Sequence, residues 1–453
     1  MSDNKPKVYI VHCVDTEGPM YESIEETFQR LDSIFGIKIE CSRENLKKLQ
    51  KGLIDLNGKE EVVMDLLSPS RINMNHTWLD VDLMLNKITS SNFRNELLDS
   101  SEMGWVYSWF CLDHVGFTGK NPRKRDTAHH AVFDRYSNRV CKEQSRDIIQ
   151  WHYHPIPVNG NYNSSGITYL NSDNIWDILS RKIIDRCWFP AVYRPGFHAE
   201  RPDSHWFLEQ WIPFDYANQS MRDNSIKVEQ PDLSGGRWGD WRRAPTDWKP
   251  YHPHHDDYQQ HGNCNRSIFR CLNMEARLRE LDEQDVIDSF NEARANGKSC
   301  IAFTNHDFRD MSPEINKVRS MIDRVSSSMP DVDFYFVDAL TAAREMLSLK
   351  ISSPGIKVLF DYCDKNCIEM LVSSKEEIFG SQPYLAIKTV DGRYLWENFD
   401  KLTEKKWRFV FDEFHVNLNL IESIGVAANS ISGVSDVVVY DLIDDRFIEK
   451  SAV

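Results

Sequence analysis

Apolar runs of strand length alternate with amphipathic stretches through residues 1–350. Lys7–Val14 reads as a strand, and so do Glu61–Leu67, the aromatic-rich Gly104–Cys111, Ile148–His154 and Phe189–Arg194. Ser299–Thr304 and Val332–Val337 follow as later strands. Between them, Arg43–Leu56, Leu79–Leu98, Ser172–Arg186, Glu283–Asn296 and Pro313–Ser328 carry helical spacing. Ser312 before Pro313 reads as a cap followed by proline at the first helical position. Strands alternating with helices predict a parallel sheet with helical crossovers, and the number of repeats fits a complete or partial α/β barrel.

Two stretches break the rhythm. Gly116–Glu143 is polar and contains the adjacent His129 and His130; Ser220–Gly262 is rich in Trp, Pro, Gly and His. After Ser352-Ser353-Pro354-Gly355 the helical spacing disappears, and Ile356–Phe360, Ile368–Val372, Tyr384–Thr389 and Ser435–Tyr440 read as strands. The chain therefore divides into an α/β domain over 1–350 and a smaller, mainly β domain over 351–453.

Composition removes several function classes. Hydrophobic residues make up 41% and charged residues 27%, ordinary values that argue against wholesale disorder. No run approaches the ~20 apolar residues of a membrane-spanning helix. The polar Met1–Lys7 leads straight into a strand without a signal-peptide core, so a cytoplasmic location is expected. Lys and Arg number 54 against 69 Asp and Glu, a net charge of -15, which disfavours nucleic acid as a partner. Within that acidic chain the basic run Lys120–Arg125 reads as a solvated loop. The ten cysteines are scattered, which does not suggest a disulfide framework.

Four strand ends carry candidate chemistry. Asp15 and Glu17 follow the first strand with the spacing that shares a face, and two such carboxylates can divide into a metal ligand and a general base. His152 and His154 share a face at the end of another strand; two imidazoles and one carboxylate form a catalytic-zinc ligand set with positions left open. Arg194 ends the next strand, where its fork can orient a carboxylate. His306 follows the apolar run Ile301–Thr304 and can act as a general acid, with Asp307 setting its tautomer.

This order of motifs resembles the polysaccharide deacetylase family, carbohydrate esterase family 4. Val14-Asp15-Thr16-Glu17, His152-Tyr153-His154-Pro155, Arg194-Pro195-Gly196 and a late strand ending at His306 stand in the family's sequence. The resemblance implies a distorted (β/α) barrel and a metal-dependent hydrolase that removes acyl groups, typically N-acetyl, from a carbohydrate or related amide. By motif position it makes Asp15 the base, Glu17, His152 and His154 the ligands of a divalent metal such as zinc, Arg194 the residue steering Asp15, and His306 the general acid. Two departures stand out. The family's acids are adjacent, which leaves Asp15 and Glu17 exchangeable here, and its histidines are separated by three residues where here only Tyr153 stands between them.

The family also places an Asp and a Trp near the segment Gly235–Gly262. Asp240 and Trp241 are the nearest matches, with Trp238 and Tyr251 as further aromatics able to stack on a sugar face. The expected partner is a carbohydrate, nucleotide-sugar or other glycan precursor. A glycoside hydrolase on a related barrel and a non-catalytic carbohydrate-binding protein are the rival readings. The histidine pair counts against the first, and the intact acid, histidine and arginine set against the second.

Overall fold

Strand β1 (Lys7–Thr16) buries nine of its ten residues, so the apolar run that marks it reflects burial on both faces, as in parallel sheets. The computed structural model describes residues 5–116, 121, 123–160, 165–170, 172–222, 239–274, 280–364 and 367–452. In chain order β1 is followed by β2 (Tyr107–Leu112), β3 (Ile148–Tyr153), β4 (Val192–Pro195) and β5 (Phe214–Asn218). A short hairpin, β6 (Pro253–His254) and β7 (Asp257–His261), precedes β8 (Ser267–Asn273), β9 (Lys298–His306) and β10 (Asp333–Phe336).

Among the described residues, seven parallel strands close into a barrel in the order β1-β2-β3-β4-β5-β8-β9, with β9 returning to β1. The closing pair runs in register from Lys7 opposite Lys298 to Asp15 opposite His306. The other edge of β1 is shared. Its first half, Lys7–Ile10, pairs with β10, and its second half, His12–Thr16, pairs with β2. Because all these strands run the same way, Thr16, Leu112, Tyr153, Pro195, Asn218, Asn273 and His306 end at one mouth, where α/β barrels carry their chemistry.

Several expected elements take a different form. Glu61–Leu67 is not a strand but part of helix Glu60–Leu66 and the turn after it. Val63 and Leu67 are fully buried and Leu66 nearly so, whereas Val62 and Met64 are 45% and 37% exposed. Burial at i, i+3 and i+4 is the helical period, and a short apolar run hides it. Leu79–Leu98 divides into Trp78–Ile88 and Ser91–Arg94, because Ser90 caps a new helix through Phe93 N. The polar stretch Gly116–Glu143 contains helix Ala131–Glu143, which buries Val132, Phe133 and Tyr136.

The C-terminal strands form two antiparallel sheets. One is ordered β11 (Lys357–Asp364), β12 (Cys367–Ser373), β16 (Lys406–Phe411), β15 (Asp400–Thr403). The other is ordered β14 (Tyr394–Glu397), β13 (Tyr384–Thr389), β17 (Ile421–Asn429), β18 (Ser435–Asp441), β19 (Arg446–Ala452). Met370, Val372, Leu385, Trp407, Val426 and Val438 form a core between them. The far face of the second sheet, through Tyr384, Ala386, Ala427 and Val437, packs on helix Asn174–Arg186. There a Cβ on Gly425 would stand 2.5 Å from Ile183, so only glycine permits the approach. Asn429 donates to the carbonyls of Pro190 and Trp211 at 2.7 Å, which ties this sheet to the chain entering β4 and hence to Arg194. Among the described residues, no helix is long and apolar enough to cross a membrane.

On the outer face of β1, in the apolar layer between barrel and helices, His12 donates from Nε2 to Asn305 Oδ1 at 2.9 Å and accepts from Trp105 Nε1 at Nδ1, also at 2.9 Å. Protonation at Nδ1 breaks the second bond, and burial pushes this imidazole down to about 3. The unfolded chain therefore binds a proton here below about pH 6.5 that the folded chain refuses, so stability falls as pH falls, by about 1.4 kcal/mol per unit for this group. Thermal melts between pH 6.5 and 5 should show stability falling with pH, and a His12→Gln variant should have a shallower slope by about that amount. Equal slopes in the two proteins would remove His12 as the cause.

Candidate functional site

The acid pair and the histidine pair meet at the mouth of the barrel. Asp15, 2% exposed, receives Arg194 Nε on Oδ1 at 2.7 Å and Nη2 on Oδ2 at 2.9 Å. Arg194 is fully buried and also donates from Nη1 to the Tyr216 carbonyl. Thr304 donates to Asp15 Oδ2 at 3.3 Å. Burial alone would raise the Asp15 pKa, but the guanidinium and the nearby histidines hold it far below the carboxylate range. Asp15 is thus a fixed anion, and the bidentate fork fixes its plane.

Glu17 is gripped along its backbone as well as at its carboxylate. Its N–H donates to Asp307 Oδ1 at 2.8 Å, and His114 Nε2 donates to its carbonyl at 2.9 Å. Arg125 pairs with Oε2 at 2.5 Å, which leaves Oε1 facing His154 Nε2 at 3.6 Å. Burial opposes the Glu17 charge, but Arg125 and His154 outweigh it and hold the carboxyl well below its usual range.

His152 donates from Nδ1 to the Arg194 carbonyl at 3.0 Å. That bond fixes the tautomer and presents the Nε2 lone pair, as is usual for a metal-binding imidazole. Burial, opposed by Asp15, pushes His152 down to about 4, so the ring is neutral at neutral pH. Its Nε2 lies 3.1 Å from His154 Nε2. A Cβ on Gly196 would lie 2.2 Å from His154 Cδ2, so the glycine of Arg194-Pro195-Gly196 makes room for this ring.

Donor atoms of Glu17, His152 and His154 all lie within 4.8 Å of one another. Ligands about 2.0–2.1 Å from a tetrahedral zinc are about 3.3 Å apart, close to the observed spacings. The donor chemistry, the fixed His152 tautomer and the spacing therefore fit a divalent metal. Asp15 is held by Arg194 outside that triad, so the geometry favours Glu17 as the carboxylate ligand.

His306 is adjacent to Asp15 in the β1–β9 register, with Nε2 3.9 Å from Asp15 Oδ2 and 3.8 Å from Glu17 Oε1. It therefore lies beside Asp15. Burial lowers its pKa against the pull of both carboxylates. Asp307 does not set its tautomer: its carboxylate accepts from the Glu17 and Gly18 amides and from Tyr136 Oη at 2.7 Å.

The aromatic segment takes another role than the expected one. Trp241 is fully buried, donates to the His198 carbonyl at 2.8 Å and packs with Tyr251, Tyr258 and Ile268. Tyr251 donates to the Tyr258 carbonyl at 2.6 Å, and Asp240 pairs with Arg242 at 2.9 Å. None of these three lines the cavity over the triad, and Trp238 lies outside the described residues. The Trp241 ring packs on Tyr258 and the Tyr251 ring on His261, so these side chains pin a loop. Its Gly239 donates to the Phe197 carbonyl at 2.9 Å and, with Trp241, clamps the Phe197-His198 turn at the cavity wall.

That cavity holds about 190 Å³ and contains Asp15, Glu17, His152, His154 and His306. Its wall adds His114, Arg123, Arg125, His198, Asn273 and Phe308. Of the run Lys120–Arg125, Lys120 and Pro122 lie outside the described residues and Lys124 is exposed, but Arg125 departs from the solvated-loop expectation: it is 9% exposed and ion-paired to Glu17. Asp113-His114, directly after the third expected strand, is the same kind of strand-end signal as His152 and His154. A larger cavity of about 590 Å³ lies at the start of β3, between Trp188 and Lys450, and holds none of this chemistry. Comparison with protein-family models gives no match, and neither does comparison with curated protein sequences.

Proposed function

We propose that this protein is a metal-dependent hydrolase of the polysaccharide deacetylase type, removing an acyl group, N-acetyl foremost, from a carbohydrate or nucleotide-sugar precursor. The observation that carries the reading is the convergence of Glu17 Oε1, His152 Nε2 and His154 Nε2 beside an Arg194-clamped Asp15 in a cavity of about 190 Å³. The parallel barrel and the order of the four motifs support it.

Glu17, His152 and His154 would hold the ion, zinc on the donor set. When bound, it supplies Lewis-acid polarisation of the acyl carbonyl and acidifies water. Asp15, its carboxylate oriented by the Arg194 fork, receives the proton of the attacking water. Its Oδ2 lies 3.9 Å from His306 Nε2, so the charge of one stabilises a proton carried by the other. His306 is the more accessible of the pair, at 27% side-chain exposure against 3%, and delivers the proton to the departing nitrogen.

A His306→Ala variant tests this division of labour. It should keep its metal, lose about 10²–10⁴-fold in the chemical step on amides, and lose less on activated esters, whose leaving groups need little protonation. Equal losses on both substrates would make His306 a structural residue instead.

A further inference from the structure

Two residues that line the cavity, Arg125 and Asn273, each carry a buried donor without an acceptor, Nη1 and Nδ2. Leaving such groups unpaired is costly, and a site whose polar walls lack acceptors calls for a ligand that brings them. The charges point the same way. Both acids facing the cavity are already matched, Asp15 by Arg194 and Glu17 by Arg125. Arg123 also lines the wall, and its neighbour Glu22 pairs with Arg30 at 2.8 Å as well as with Arg123 at 3.5 Å. Arg309 stands 5.4 Å from the Phe308 ring centre, and Arg125 is 5.3 Å from that same centre. Two guanidiniums, of Arg123 and Arg125, thus line this cavity, and a third, of Arg309, paired with Glu314 at 4.0 Å, stands beside its Phe308, in a chain of net charge -15.

We infer that the substrate is an acid: besides the acyl group it carries a carboxylate or phosphate that docks against Arg123 and Arg125, with Asn273 as a further donor. This inference rests on the hydrolase reading for the acyl group and on the cationic wall for the charge. A planar guanidinium suits either anion through parallel N–H donors. The anion therefore selects among acylated compounds that the triad alone treats alike.

The test is calorimetric titration of the metal-loaded protein with inorganic phosphate, malonate and uncharged N-acetylglucosamine, repeated on Arg123→Gln with its metal content checked. Phosphate or malonate, whichever matches the natural group, should bind about tenfold more weakly to the variant, and more weakly in ~0.5 M than ~0.05 M salt. Hydrolysis of N-acetylglucosamine 6-phosphate and of N-acetylneuraminate should then be compared with that of N-acetylglucosamine. A kcat/KM about tenfold higher for one acid supports the inference and names the anion. No anion binding, or anion binding indifferent to Arg123, overturns it. Neutral sugar hydrolysed as well as both acids overturns it and leaves the hydrolase reading standing. Arg123-dependent anion binding without hydrolysis of any acyl compound sustains the anion site and removes the hydrolase reading.

Discussion

A His154→Ala protein should fold, carry less than about a tenth of an equivalent of metal, and hydrolyse amides at least about 10³-fold more slowly. The expectation follows from the position of the ring. His154 lies just past the end of β3, outside the strand ladder, and its Nε2 is the donor that faces both Glu17 and His152. Two donors remain after the change, too few to retain zinc against a chelator. The barrel does not depend on this side chain, because its core is made of β1, β2 and β9 residues such as Val14, Trp109 and Phe303. Metal analysis, circular dichroism and turnover on one preparation separate the outcomes. Full metal occupancy with normal turnover would show that the triad is not the site.

Arg194→Met should be the most destabilising single change in the site. The arginine is fully buried and satisfies both oxygens of an Asp15 that is itself 2% exposed. Removing it leaves an uncompensated buried carboxylate, at a cost of about 3–5 kcal/mol. The double variant Asp15→Asn, Arg194→Met removes both charges and should recover much of that loss, though not activity. Urea midpoints at constant slope measure it. A loss below about 1 kcal/mol for Arg194→Met, or no recovery in the double variant, would contradict the assignment of the pair.

The part of this site legible in the sequence is the part governed by strand period. Asp15 with Glu17 and His152 with His154 announce a shared face because residues two apart on a strand point the same way, and each pair ends an apolar run. Arg125 was not legible. Its basic neighbours suggest solvent, and only the folded chain shows that its partner is Glu17, on a distant segment. Asp307 follows a candidate acid and invites pairing with it, yet the amides of Glu17 and Gly18 are the stronger local claim. Trp241 and Tyr251 anchor a loop instead of lining the site, and an aromatic that stacks on a sugar and one that anchors a loop look alike in sequence; burial distinguishes them, and burial is not in the sequence. Likewise β5 and β8 border a stretch with no clear period, and the barrel closes through them by register rather than by any local signal.

The central claim is that Glu17, His152 and His154 hold one catalytic metal. Anomalous diffraction above and below the zinc edge, on crystals grown with zinc, tests it most directly. The claim predicts a single strong peak about 2.0–2.2 Å from Glu17 Oε1, His152 Nε2 and His154 Nε2, absent from His154→Ala crystals. A peak elsewhere, or none at this triad while zinc binds the protein in solution, would contradict it.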